Sequence, residues 1–120
     1  MAKRHDICAA ADIPPGERRL VKIGSRSVGV FNVGGEFFAL LNLCPHRAAN
    51  LCDGVVCGTN LPVDAADGYR YEFGMEGEIL RCARHGWEFK IRTGECLFDP
   101  SVRAKTYPVE VSDGRVFVVV

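Results

Sequence analysis

The sequence has no net charge, because fifteen Lys and Arg stand against fifteen Asp and Glu in 120 residues. Without a surplus of one sign there is no whole-molecule field to draw nucleic acid phosphates or an anionic membrane, so neither nucleic acid nor a membrane is expected as a partner. No apolar run approaches the ~20 residues of a membrane span. No stretch sustains the i, i+3, i+4, i+7 spacing of a long amphipathic helix. Internal repeats, low-complexity tracts and linkers are also missing, which predicts a single domain over residues 1–120 with a real but modest apolar core. Histidine is scarce: His5, His46 and His85 are all there are.

What is present reads as an ordinary folded protein, 48% hydrophobic and 25% charged. The start Met-Ala-Lys-Arg-His-Asp is basic, but Asp6, Asp12, Pro14 and Pro15 interrupt the apolar run that a signal peptide needs. A cytoplasmic location is therefore expected. From Leu20 onward short β-rich runs alternate with turn residues, which predicts an all-β fold. Leu20 to Ile23 meets Gly24-Ser25-Arg26, Val28 to Val33 meets Gly34-Gly35, and Glu36 to Leu41 follows. A second hairpin runs from Tyr107–Val111 through Asp113-Gly114 to Val116–Val120, with Asp-Gly suited to a type I′ turn. Residues 51–69, holding Asp53-Gly54, Cys57-Gly58, Pro62 and Asp67-Gly68, read as a loop.

Six cysteines without a secretion signal point to metal ligands and buried thiols rather than disulfides. Two of the histidines sit beside cysteines, at Cys44-Pro45-His46 and Cys82-Ala83-Arg84-His85. The two loops together supply two sulfur and two nitrogen ligands. A structural zinc site accepts that set in tetrahedral geometry. A [2Fe–2S] centre accepts it with the thiolates on one iron and the imidazoles on the other. Zinc ligands usually come as pairs of one residue type, whereas here each loop gives one of each, which suits a centre with two metals. Cys8, Cys52, Cys57 and Cys96 are expected as small buried hydrophobes, with Cys52 and Cys57 near enough in sequence to pair or to bind metal.

The flanking residues carry a specific resemblance. Cys44-Pro45-His46-Arg47, then Cys82-Ala83-Arg84-His85-Gly86-Trp87-Glu88-Phe89, Thr93-Gly94, Tyr107-Pro108-Val109 and the terminal Asp113-Gly114 closely resemble the Rieske family, especially the ferredoxins of aromatic-ring oxygenases. The resemblance implies three small antiparallel β-sheets, with one [2Fe–2S] cluster held by Cys44, His46, Cys82 and His85 on two loops. It implies a β base of about residues 1–42 and 98–120 and a cluster-binding tip of about 43–97. Pro45, Arg47, Arg84, Gly86 and Trp87 would then lie behind the cluster or at a docking surface. Its implied partners are a flavin-dependent ferredoxin reductase and a terminal oxygenase. Two alternatives remain: the small subunit of a nitrite-reductase-like enzyme, and a zinc-stabilised binding module.

Two departures stand out. Some Rieske proteins join the loops by a disulfide, and here Ala49 and Arg84 occupy those places, so that bridge is expected to be absent. The connection 47–81 is also longer than usual. Exchange of two thiolates for neutral imidazoles raises the reduction potential relative to an all-cysteine centre. With Trp87 where high-potential members carry serine, a value of roughly −150 to 0 mV is expected. The chain is not expected to be an enzyme in its own right, because a non-haem oxygenase iron needs two histidines and a carboxylate and only His5 is left over.

Overall fold

In the computed structural model the described residues are 3–45, 50–65, 68–82, 86–99 and 101–120, with backbone alone for 59–65 and 68–73. The strands are β1 (Arg4–Ala9), β2 (Arg18–Ile23), β3 (Arg26–Val33), β4 (Glu36–Leu41), β5 (Val55–Ala65), β6 (Gly68–Arg81), β7 (Glu88–Lys90), β8 (Thr106–Tyr107), β9 (Val109–Ser112) and β10 (Arg115–Val119). They form three antiparallel sheets in the orders β1-β10-β9, β2-β3-β4-β8 and β5-β6-β7. The only helical pieces among the described residues are 3-10 turns at Ala10–Asp12 and Leu51–Asp53. The all-β expectation and the three sheets are borne out. No helix among these residues is long and apolar enough to cross a membrane.

The middle sheet separates two cores. Successive side chains of a strand point to opposite faces. On β3, Val28 and Val30 pack with Cys8, Val116 and Val118 of the first sheet. Phe31 and Val33 on the other face pack with Leu80 and Phe89 of the third. Burial on both faces explains why β3 reads as an almost unbroken apolar run. Asn32 within it is 5% exposed and satisfied: its Nδ2 donates to Ile13 O at 2.7 Å and its Oδ1 accepts from Gly35 N–H at 2.8 Å. Each fully buried Val, Leu, Ile or Phe contributes about 1.5–3 kcal/mol relative to exposure, so two such cores are the main stabilising term.

Both predicted glycine turns form. Gly34 and Gly35 have φ of 60° and 97°, and Asp113 and Gly114 have 52° and 74°. Positive φ at both central residues is what a type I′ turn demands. Arg92 then ties the β3–β4 turn to the third sheet. Its Nη1 donates to Glu36 Oε1 at 2.9 Å, its Nε donates to Glu78 Oε1 at 2.8 Å, and the guanidinium lies over Phe38.

Two readings of the sequence need correction. The segment 51–69 is not a loop: a short 3-10 turn leads into β5, which pairs with β6 from Val55↔Arg81 to Ala65↔Gly68. Its breaker residues are placed where a strand tolerates them. β5 is a sheet edge, where the N–H that Pro62 lacks need not join a ladder, and Gly58 falls at the register shift between Cys57 and Thr59. The run Tyr107–Val111 is not one strand either. It divides at Pro108, with Tyr107 pairing to Ala39 in the middle sheet and Val109 to Val118 in the first.

Candidate metal centre

Cys44 follows the end of β4, and Cys82 follows the end of β6, so two different sheets deliver the two sulfurs. Both side chains are 1% exposed and belong to the core between the middle and third sheets, beside Leu51, Leu80 and Phe89. The second loop is pinched at its base. Gly86 N–H donates to Cys82 O at 2.9 Å and Cys82 N–H donates to Trp87 O at 2.8 Å, and Gly86 takes φ of 69° to make the turn. Arg81 and Glu88, opposite each other on β6 and β7, close it from outside with a 2.9 Å ion pair, which holds the Arg81 guanidinium pKa above its ordinary value.

The first loop begins beside Asn42. The Asn42 N–H donates to Ser27 O at 2.8 Å, and its Oδ1 accepts from Cys52 N–H at 2.7 Å, across the mouth of the loop. Pro45 is exposed, in keeping with a loop at the surface. His46, Arg47, Ala49, Arg84 and His85 lie outside the described residues, and so does the expectation that no bridge joins positions 49 and 84.

Trp87 is half-buried and packs on the same core as the two thiols, edge-on to Phe98, with ring centroids 4.9 Å apart at 89°. Phe98 itself is 70% exposed. It reaches Trp87 because Leu97 N–H donates to Glu88 O at 2.9 Å and Cys96 bridges to Phe89. Nothing in the residues next to Phe98 signals this, since the contact depends on a turn closed by bonds from Leu97 and Cys96 back to Glu88 and Phe89.

The other cysteines divide. Cys8 belongs to the far core, and Cys52 and Cys96 to the near one. Cys57 departs from the expectation of burial: it is half-exposed on the edge strand β5, opposite Ile79. No disulfide joins any of the six, all of which are described, so Cys52 and Cys57 do not pair. Among the described residues no three His, Cys, Asp or Glu side chains converge as metal ligands. Cys52 instead donates through Sγ to Leu40 O at 3.5 Å, and burial pushes its thiol pKa up to about 12. His5, half-buried in β1 opposite Val118, stands in the first sheet, which packs on the far core.

This donor set fits an iron–sulfur centre. Two soft sulfurs are sealed from water in an apolar core, where an uncompensated thiolate would be costly and coordination to a cation removes that cost. They arrive on separate loops, and Pro45 on the first and Gly86 on the second are exposed.

Comparison with known proteins agrees with this chemistry. Residues 3–108 match the family profile described as the Rieske [2Fe-2S] domain. The chain is 31% identical over 114 residues to the ferredoxin component of the naphthalene 1,2-dioxygenase/salicylate 5-hydroxylase systems of Ralstonia sp., covering 94% of this chain and 91% of the relative. A structure of the complex of reduced oxygenase and oxidised ferredoxin in carbazole 1,9a-dioxygenase contains a chain 30% identical, with a TM-score of 0.71 over 96% of this chain and 91% of that one. A chain assigned as the small subunit of an NADH-dependent nitrite reductase from Mycobacterium tuberculosis has a TM-score of 0.73, covering 100% of this chain and 96% of that one. At 22% identity it shares the fold alone.

Proposed function

Because the chain belongs to the Rieske [2Fe–2S] domain family, with one cluster of that type as its cofactor, we propose that it is the ferredoxin component of a multicomponent oxygenase. It takes single electrons from a flavin-dependent ferredoxin reductase and delivers them to a terminal non-haem iron oxygenase that acts on aromatic rings. Cys44 and Cys82 hold one iron and His46 and His85 the other. The observation that carries this reading is the burial of two thiols from two sheets in one apolar core, each followed by a histidine at the family spacing.

When bound, the cluster accepts and releases one electron at a time. The chain supplies the rest. The core of Leu51, Leu80, Phe89 and Trp87 excludes water from the sulfur side, so little solvent must reorganise there as charge changes. The pinched Cys82–Trp87 turn and the bonds of Asn42 tie down the bases of the two loops. Apolar surface beside each loop, Leu43 at the first and Phe98 at the second, offers a docking face of the kind that excludes water around a short electron path. No oxygen-activating site is expected on the chain, since His5 alone cannot complete two histidines and a carboxylate. Three relatives at 30–31% identity are named as a ferredoxin or as the ferredoxin component or subunit of a dioxygenase system, which favours a diffusible carrier over a fixed reductase subunit.

Anaerobic purification, a visible spectrum and EPR after dithionite reduction test the assignment. A brown protein with about two irons and two acid-labile sulfides per chain, losing both signals on His46→Ala or His85→Ala, is expected. A colourless zinc protein, or cluster signals unchanged by either substitution, overturns it.

A further inference from the structure

The loop carrying Cys44 leaves the middle sheet after Leu41 and ends at the turn Leu51–Asp53. One side chain joins both ends. Asn42 donates through Nδ2 to Ser27 Oγ at 3.2 Å and accepts at Oδ1 from Cys52 N–H at 2.7 Å, while its own N–H donates to Ser27 O at 2.8 Å. Asparagine suits this place because a single planar amide offers donors and an acceptor on opposite sides. Serine or a hydrophobe could not make both side-chain bonds, and aspartate could do so only with the Ser27 hydroxyl turned to donate to it.

Cys52 completes the closure. It is wholly buried, and its thiol donates to Leu40 O at 3.5 Å, over the pair Gly29↔Leu40 of strands β3 and β4. A Cβ at position 29 would stand 2.6 Å from Cys52 Sγ, so the glycine is the socket into which this side chain is plugged. Backbone bond, plug and socket together tie the Leu51–Asp53 turn to the middle sheet.

We infer that Asn42 is a positioning residue for the metal centre, latching both ends of the 43–51 loop to the middle sheet through Ser27 and Cys52 and so fixing where the Cys44 sulfur stands. This rests on Cys44 being a cluster ligand. If Oδ1 is removed, the Cys52 N–H loses its acceptor in a partly buried place, and the first motion to become easier is withdrawal of Cys52 from its socket. Opening is local, because Cys8 lies in the other core, across the middle sheet.

The test is alkylation of the iron-loaded protein under native conditions, with the rate at each cysteine read by mass spectrometry and the reduced-state EPR spectrum recorded alongside. Asn42→Ala is expected to raise the rate at Cys52 about tenfold while Cys8 is unchanged, and to broaden the EPR lines. Asn42→Asp, which keeps an acceptor for Cys52 N–H, is expected to restore protection of Cys52. Equal acceleration at Cys52 and Cys8, or no acceleration at either, overturns the latch. Should Asn42→Ala fail to fold, Ser27→Ala removes only the Oγ partner: Cys52 accelerated relative to Cys8 supports the latch, and equal rates overturn it. The two readings fail separately, since a chain without iron that still shows selective Cys52 opening refutes the cluster ligand and not the latch.

Discussion

Gly29→Ala should destabilise this protein, although glycine to alanine inside a strand ordinarily does the reverse. The usual gain from removing backbone freedom is about 0.5–1 kcal/mol. Against it stands a methyl that would sit 2.6 Å from Cys52 Sγ, 2.7 Å from Cys52 Cβ and 2.9 Å from Phe31 Cε1. Cys52 is 0% and Phe31 1% exposed, so neither can swing into solvent to make room. Overpacking of a sealed core costs about 1–3 kcal/mol, and three contacts under 3.0 Å put this site at about 2–3 kcal/mol, which leaves a net loss of about 1–2.5 kcal/mol. At this chain length that corresponds to a Tm lower by ~3–15 °C. Thermal unfolding of wild type, Gly29→Ala, Cys52→Ala and the double variant checks it. Because Cys52→Ala removes the sulfur but leaves Cβ, Gly29→Ala should cost less, though not nothing, in that background. An unchanged or raised Tm for Gly29→Ala, or strict additivity in the cycle, would refute the socket.

The Cys52 thiol, raised from 9.0 to about 12 by burial, gives a pH dependence with a definite sign. Its contribution to stability is complete below pH 9, where folded and unfolded chains both hold the proton. It is lost between pH 9 and 12 as only the unfolded chain ionises, at up to about 1.4 kcal/mol per pH unit. Denaturant melts at pH 8 to 11 should therefore show a steeper loss for wild type than for Cys52→Ala, and parallel curves would contradict it. Phe98→Ala removes an exposed ring whose contact is the edge of Trp87, so it should leave Tm nearly unchanged. Steady-state transfer to the oxygenase should fall by about three- to tenfold, the loss of one apolar contact at a docking face; unaltered transfer would remove Phe98 from that face. Redox titration should give roughly −150 to 0 mV, and a value above about +150 mV would overturn the placement among low-potential carriers.

The parts of this molecule that the sequence exposes are those decided locally. Gly34-Gly35 and Asp113-Gly114 turn where their φ freedom predicts, and Cys44 and Cys82 fall on loops where their spacing to histidine predicts. What stays hidden depends on partners far along the chain. Pro62 and Gly58 look like breakers until β5 is known to be an edge with a register shift at Gly58. Pro108 divides a continuous-looking run only because Tyr107 and Val109 are claimed by different sheets. Asn42, Cys52 and Gly29 carry no motif at all, since what joins them is contact across 10 or more positions.

The same layering predicts how the chain behaves when its metal is stripped. Cys44 and Cys82 are delivered by separate sheets, so a group bound to both is a cross-link between the middle and third layers, and binding energy there is stability of that junction. The far core of Cys8, Val28, Val116 and Val118 gains nothing directly from it. After anaerobic chelation with reductant, Cys44, Cys82, Cys52 and Cys96 should become alkylated at least tenfold faster, while Cys8 stays protected and most of the β-sheet circular dichroism is kept. The salt links of Arg92 to Glu36 and Glu78 are exposed and contribute too little to hold the junction closed unaided. If Cys8 reacts in step with the other four, the two cores melt as one unit, and the middle sheet does not insulate one from the other.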